Sequence, residues 1–296
     1  MLLDALTGWT LFGGLFLARG SVVGRWIIVP GAFGGGDSRA HLQRRRSAEV
    51  GLWGALLVLA GLALYLIRQT REFRDPFAPL SEDITLLMST PWGSTWITAA
   101  IAAVLLAASM KLAHSGRAPG WWMATALALS LALFPGNAGH ASAADDRVLA
   151  LALDLLHVWA AGAWMGGLSL VLYLETRARH SAEATSILPK LVPVFSPVAL
   201  AAVSALIVTG LYASWTHLES VGALITTSYG RVLSIKLLLV LLVLGLGGRN
   251  FRLLTPRLGS DAGDTAMRRS AAAELAIAQL VLIVTAVLVR TSPMAH

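Results

Sequence analysis

The sequence predicts an all-α fold, a polytopic membrane helix bundle with eight transmembrane helices. Of its 296 residues, 56% are hydrophobic and 13% are charged, whereas soluble domains carry about 25% charged residues. The mean hydropathy is +0.70, and the apolar residues form runs close to the roughly 20 residues that one membrane-crossing helix needs. These observations exclude an ordinary soluble enzyme and predict a multi-pass protein in a lipid bilayer.

Apolar runs separated by charged or Pro/Gly-rich stretches define the predicted spans. In chain order they are residues 5–29, 48–68, 93–113, 121–136, 147–174, 195–213, 231–249 and 270–290. The first run has Asp4 and no basic residue before it, which predicts a helix and not a cleaved signal peptide. It also contains Arg19 and Arg25, which must either reach an interface or face the protein interior. The fourth run is short and ends at Pro135 and Gly136.

Basic residues are distributed unequally between the two sets of loops. One set carries fourteen Lys and Arg residues, and the other, which includes both termini, carries six. Because basic loops stay on the cytoplasmic side, both termini are predicted to be periplasmic. The chain then divides into an N-terminal four-helix half, residues 1–136, and a C-terminal four-helix half, residues 137–296. The net charge of +7 is dispersed between the spans, which argues against nucleic-acid binding.

The fifth predicted span carries the best candidate metal site. Cysteine is absent, so a metal would need His, Met, Asp, Glu or backbone ligands. Asp154 and His157 are three residues apart and share a helix face, so the carboxylate can accept from one ring nitrogen and fix the tautomer. The other nitrogen is then free to bind a metal. Met165 follows eight residues later on roughly the same stripe, and imidazole with thioether suits Cu(I).

Further candidate ligands lie near the outer surface. His140 follows the fourth span within a glycine-containing segment, residues 136–141, which brings it within reach of Asp154 and His157. Weaker outer candidates that could help to capture Cu(I) or take part in the site are Met88, His217, Met294 and His296. The alternative is structural: Asp154 and His157 join helices by hydrogen bonds, Met165 packs in the core, and a loop histidine is solvated.

Other features of the spans have structural interpretations. The small residues Gly162, Gly166 and Gly167 allow neighbouring helices to approach closely. Lys236, in the seventh span, can reach the outer interface or pair with Asp154. Asn250 and Glu274 are expected to bond to each other or to arginines between the last two helices. We expect the outer loop at residues 69–92 either to form a short interfacial helix or to rest on the lipid headgroups.

An ordered series of short stretches resembles the copper resistance protein D (CopD) family of bacterial inner-membrane proteins. The series covers about residues 137–290 and comprises Gly139-His140-Ala141, His157 with Trp164, Gly166, Gly167 and Leu168, Phe195-Ser196-Pro197, Thr209-Gly210, Tyr229-Gly230 with Lys236, Asn250, Pro256 and Glu274. The N-terminal half resembles the family in its number of spans and in Thr90-Pro91-Trp92-Gly93.

The resemblance implies copper handling at the inner membrane and no enzymatic activity. It points to His140 and His157 as ligands of Cu(I) or Cu(II), with uptake toward the cytoplasm and a small periplasmic CopC-type copper-binding protein as partner. Asp154 supports this site on physical grounds alone. Two other functions remain as alternatives: a b-type haem protein that transfers electrons, which needs two facing histidines at one depth, and a non-transporting scaffold for copper-enzyme assembly.

Overall fold

The computed structural model describes residues 2–34, 38–134, 147–181, 185–217 and 222–288. In these residues the regular structure is entirely helical, which confirms the predicted all-α fold. The first helix, α1, spans Leu2–Val23 and continues through a π-helical turn at Gly24–Ile28 into α2 at Val29–Phe33. The helices α3 to α6 follow at Ser38–Phe73, Leu80–Ser89, Pro91–His114 and Ala118–Ser130.

Two π-helical turns interrupt the helices of the C-terminal part. Helix α7, Arg147–Ala161, passes through a π-helical turn at Gly162–Gly166 into α8, Gly167–Arg179. The helices α9, α10 and α11 span Leu188–His217, Ala223–Thr226 and Ser228–Arg249. A second π-helical turn, Asn250–Leu254, ends α11 and leads through a 3-10 turn, Thr255–Arg257, to α12 at Asp261–Leu288.

Seven helical segments in the described part of the chain are long and apolar enough to cross a membrane. They are Leu3–Phe33, Arg39–Phe73, Pro91–His114, Val148–Arg179, Leu188–Ser214, Ser228–Arg257 and Asp261–Leu288. Each coincides with a predicted span. The predicted fourth span, residues 121–136, overlaps α6, which has 13 residues, and its last two residues lie outside the described residues. A multi-pass membrane protein is confirmed, whereas the eight helices and the periplasmic termini stay predictions.

The first helix lies between two hydrophobic clusters. On one side Leu15 joins the cluster formed with α3, α5 and α6. On the other side Phe16 joins the cluster formed with α7, α8, α9 and α12. Because α1 contributes to both clusters, it packs as closely against the C-terminal part as against the N-terminal part. The division of the chain into halves at residue 136 stays a prediction.

The backbones of α1 and the turn at Gly162–Gly166 cross with no room for side chains between them. A Cβ atom on Gly166 would lie 1.9 Å from the carbonyl oxygen of Phe16, and one on Gly20 would lie 2.1 Å from the carbonyl carbon of Gly166. The predicted role of the small residues in close helix approach is therefore confirmed. Arg19 packs beside this crossing with 0% exposure, so it faces the protein interior and does not reach an interface.

The segment between α3 and α5 contains a short helix, which is one of the two predicted alternatives. Helix α4 begins after Pro79 and ends before Thr90. Asp83 on its buried side pairs with Arg74, while Leu86 on the opposite side is exposed. This amphipathic arrangement is typical of a helix at a membrane interface.

Candidate functional site

His157 lies on α7, where that helix packs against α9. Its Nδ1 atom is 2.8 Å from Thr209 Oγ1 on α9. The Thr209 hydroxyl donates its hydrogen to the Ala205 carbonyl oxygen at 2.7 Å, so the hydroxyl oxygen is left to accept from the ring. This pattern places the imidazole proton on Nδ1 and leaves the lone pair on Nε2. The ring therefore presents a free acceptor nitrogen that suits a metal ion.

The ring of His157 also lies close to the backbone of α9. A Cβ atom on Gly210 would be 3.9 Å from His157 Cε1, which is ordinary contact distance. The pair Thr209-Gly210 thus forms one wall of the site, and the Thr209 hydroxyl orients the ring. Thr209 is itself buried, with 3% exposure.

Asp154 does not hold His157 in the way that the sequence predicts. Both residues lie on α7 and are half-buried, but the hydrogen bond to the ring nitrogen comes from α9. Within the described residues Asp154 has neither a hydrogen bond nor an ion pair. The correction follows from geometry: a threonine on a packed neighbouring helix reaches the ring, and the carboxylate one turn earlier on α7 does not.

Lys236 on α11 lies in the neighbourhood of His157. Its ammonium group is close enough to exert a Coulombic effect on the imidazole. No ion pair joins Lys236 to Asp154 in the part of the chain that the structure describes, so the expected pairing is not found. A nearby ammonium disfavours a cation at His157, whereas the unpaired carboxylate of Asp154 favours one.

Met165 occupies a different environment from His157. It lies in the π-helical turn Gly162–Gly166, is 5% exposed and belongs to the large hydrophobic cluster. A π-helical turn advances fewer degrees per residue than an α-helix. Met165, eight residues after His157, therefore does not lie on the helix face on which a regular α-helix would place it. The contacts of Met165 in the described structure are those of a core residue.

The remaining predicted ligands are only partly described. Met88 is half-buried on α4. His140, Met294 and His296 lie outside the described residues, and so does the side chain of His217. Among the residues that are described, no group of three or more His, Cys, Asp and Glu side chains could hold a metal ion.

A second polar cluster lies between α12 and the two π-helical turns. Asn250 Nδ2 donates to Glu274 Oε2 at 2.8 Å, which confirms the predicted bond between these residues. Trp164 Nε1 donates to the other carboxylate oxygen at 3.2 Å. Sequence reasoning did not find this contact, because Trp164 and Glu274 are 110 residues apart.

The fold and the ring of His157 define a class: a multi-pass α-helical membrane protein with an imidazole nitrogen left free for a ligand. The family model described as "CopD: Copper resistance protein D" matches residues 189–288. The copper transport protein CutJ of Bacillus subtilis (strain 168) is 32% identical over 205 residues, which cover 68% of this chain and 37% of that relative. No solved structure matches the chain significantly.

The match to this family model and the 32% identity to CutJ support the assignment of the chain to the copper resistance protein D family. Its location in a membrane as a multi-pass protein agrees with the family and with the seven apolar helices, and the bacterial inner membrane is consistent with both. Thr209, Lys236, Asn250 and Glu274 lie inside the matched residues, whereas His157 precedes them. The chain spans little more than a third of the length of the curated relative.

Proposed function

We propose that this protein transports copper across the bacterial inner membrane and that His157 is an intramembrane copper ligand. The family is named for copper resistance, and a relative with 32% identity is named a copper transport protein. Copper is then the transported substrate of a transporter, not the cofactor of an enzyme.

The observation that carries the proposal is the hydrogen bond between His157 Nδ1 and Thr209 Oγ1. Histidines that bind metals usually donate their second ring N–H to a fixed acceptor, which sets the tautomer and orients the ring. Thr209 is such an acceptor, because its own hydrogen is used on the Ala205 carbonyl oxygen. Imidazole nitrogen is a suitable ligand for either oxidation state of copper.

Asp154 and Lys236 would adjust the charge of the site in opposite directions. The carboxylate of Asp154 compensates a bound cation, and the ammonium of Lys236 keeps the binding weak enough for release. His140, on the outer loop of the predicted topology, would receive copper from a CopC-type periplasmic donor and pass it to His157. Met165 is left out of this ligand set because it packs in the apolar core.

Inward movement of copper requires no nucleotide. A negative-inside potential stabilises each inward elementary charge by roughly 2.3 kcal/mol per 100 mV. Uptake by exchange between successive ligands is therefore favourable once a donor delivers copper to the outer side.

The test is copper analysis of the purified protein and of its His157→Ala variant after loading with copper under reducing conditions. The proposal predicts loss of one copper equivalent in H157A. A matched control is His180→Ala, because His180 is exposed at the end of α8; this variant keeps the full copper content. Equal copper content in H157A and wild type, both folded by size-exclusion chromatography, contradicts the assignment.

A further inference from the structure

Glu274 is a carboxylate enclosed in the bundle, far from both ends of its helix. It is 7% exposed and lies about 20 Å along α12 from Asp261, at 1.5 Å per residue. Glu274 lies four residues inside the predicted eighth span, residues 270–290, and a buried ionisable side chain within a span is a candidate functional site. The copper site on α7 does not use it.

Both oxygens of Glu274 accept hydrogen bonds from neutral donors. Trp164 Nε1 reaches Oε1 at 3.2 Å and Asn250 Nδ2 reaches Oε2 at 2.8 Å. Trp164 comes from the π-helical turn Gly162–Gly166 and Asn250 begins the turn Asn250–Leu254. Single π-helical turns in α-helices are frequently found at functional sites, and here two of them converge on one carboxylate.

No cation pairs with Glu274 among the described residues. Arg249 on α11 donates to Ser270, Arg19 on α1 donates to the Val158 carbonyl oxygen, and Glu175 on α8 pairs with Arg179 and Arg268. Lys236 on α11 forms no ion pair with Glu274 in the described structure. Arg252 and Arg257, after α11, are exposed. The charge of an ionised Glu274 is therefore not neutralised by a neighbouring side chain.

Asn250 contributes a second, unusual feature. Its side chain is 8% exposed, and its Oδ1 atom is buried without a hydrogen-bond partner in the described structure. A buried acceptor without a donor is unfavourable, and this one belongs to the amide that already binds Glu274. The amide that binds Glu274 therefore carries one buried acceptor without a donor.

We propose that Glu274, Asn250 and Trp164 form an intramembrane proton-binding site. A proton from bulk water binds Glu274 Oε2. The amide of Asn250 then rotates, so that the bond from Nδ2 to Oε2 breaks and Oε2–H donates to Oδ1. Release of the proton reverses both changes. The protonated state is neutral: Oδ1 gains a donor, and Nδ2 gives up its bond to Oε2.

A proton fits this cluster better than a metal ion does. Glu274 is its only carboxylate, and in the described part of the chain no set of three acidic or histidine side chains surrounds it. A Cβ atom on Gly247 would lie 3.7 Å from Glu274 Oε1, so α11 runs close to the carboxylate. A proton needs no further ligands and no cavity.

Infrared spectroscopy of metal-free protein in lipid nanodiscs tests the proposal without any copper step. Spectra are recorded across the pH range in which the protein stays folded, for wild type and Glu274→Gln. The pH-induced difference spectrum of Glu274→Gln is subtracted from that of wild type, which isolates the carboxylic acid C=O band of Glu274. We expect the intensity of this band to change reversibly with pH. Glu82→Gln, at an exposed position on α4, is the control that keeps this band.

A band that is absent at every pH, or present and constant, overturns proton exchange at Glu274. If E274Q does not fold, Trp164→Phe keeps the carboxyl group and removes one donor. The titrating band must then shift to higher frequency because its hydrogen bonding is weaker, and an unshifted band contradicts the proposal.

Discussion

Replacing Thr209 by valine removes the oxygen that accepts from His157 Nδ1 and keeps the shape of the side chain nearly unchanged. The bond is 2.8 Å long and lies on a side chain with 3% exposure, so water does not readily replace the lost oxygen. The imidazole N–H is left without its acceptor, and the tautomer with the proton on Nε2 becomes competitive. That tautomer blocks the nitrogen proposed to bind copper.

Loss of such a supporting hydrogen bond lowers metal affinity by about 10–100-fold, which is about 1.4–2.7 kcal/mol of binding free energy. The assay is a competition titration of purified T209V against a copper chelator of known affinity. Thr285→Val is the matched control, because Thr285 is half-buried on α12 and donates to the Val281 carbonyl oxygen at 2.7 Å without contacting a histidine. Unchanged affinity in T209V, together with loss of copper in H157A, would refute the orienting role of Thr209.

Three further variants follow from the same contacts. His140→Ala is expected to slow copper transfer from a periplasmic donor protein, measured by stopped-flow mixing. Copper binding at His157 should remain in this variant. An unchanged transfer rate excludes His140 from capture. Glu175→Ala removes a fully buried carboxylate whose partner Arg179 is 28% exposed. It also leaves the buried Ile187 N–H without its acceptor and should destabilise the fold by about 1–3 kcal/mol, seen as a lower unfolding temperature in detergent. Gly166→Ala forces the α1 crossing apart and should destabilise by about 1–3 kcal/mol or more, whereas Gly13→Ala, with open space around it, should not.

Much of the fold could be predicted because lipid imposes strong rules on sequence. A span must satisfy its backbone internally and present apolar side chains, so long apolar runs map directly onto helices. The fourth span is the weakest case: its apolar run is short, and α6 has only 13 residues. The buried bond between Asn250 and Glu274 was also predictable, since two polar residues on adjacent spans have few other partners.

The details of the site were less accessible. The i, i+3 rule considers one helix at a time and offered Asp154 as the partner of His157, whereas the actual partner is 52 residues away on α9. The helical stripe from His157 to Met165 assumed regular α-helix, and a π-helical turn lies between them. Thr209-Gly210 is part of the series that resembles the family, but no rule for a single helix assigns it to His157.

Copper uptake into proteoliposomes under an inside-negative potential tests the central claim most directly. We expect wild-type protein to accumulate copper at a rate that increases with the potential. We expect H157A to accumulate no more copper than protein-free liposomes. Copper accumulation by H157A at the wild-type rate, or no accumulation by copper-binding wild-type protein, would contradict transport through His157.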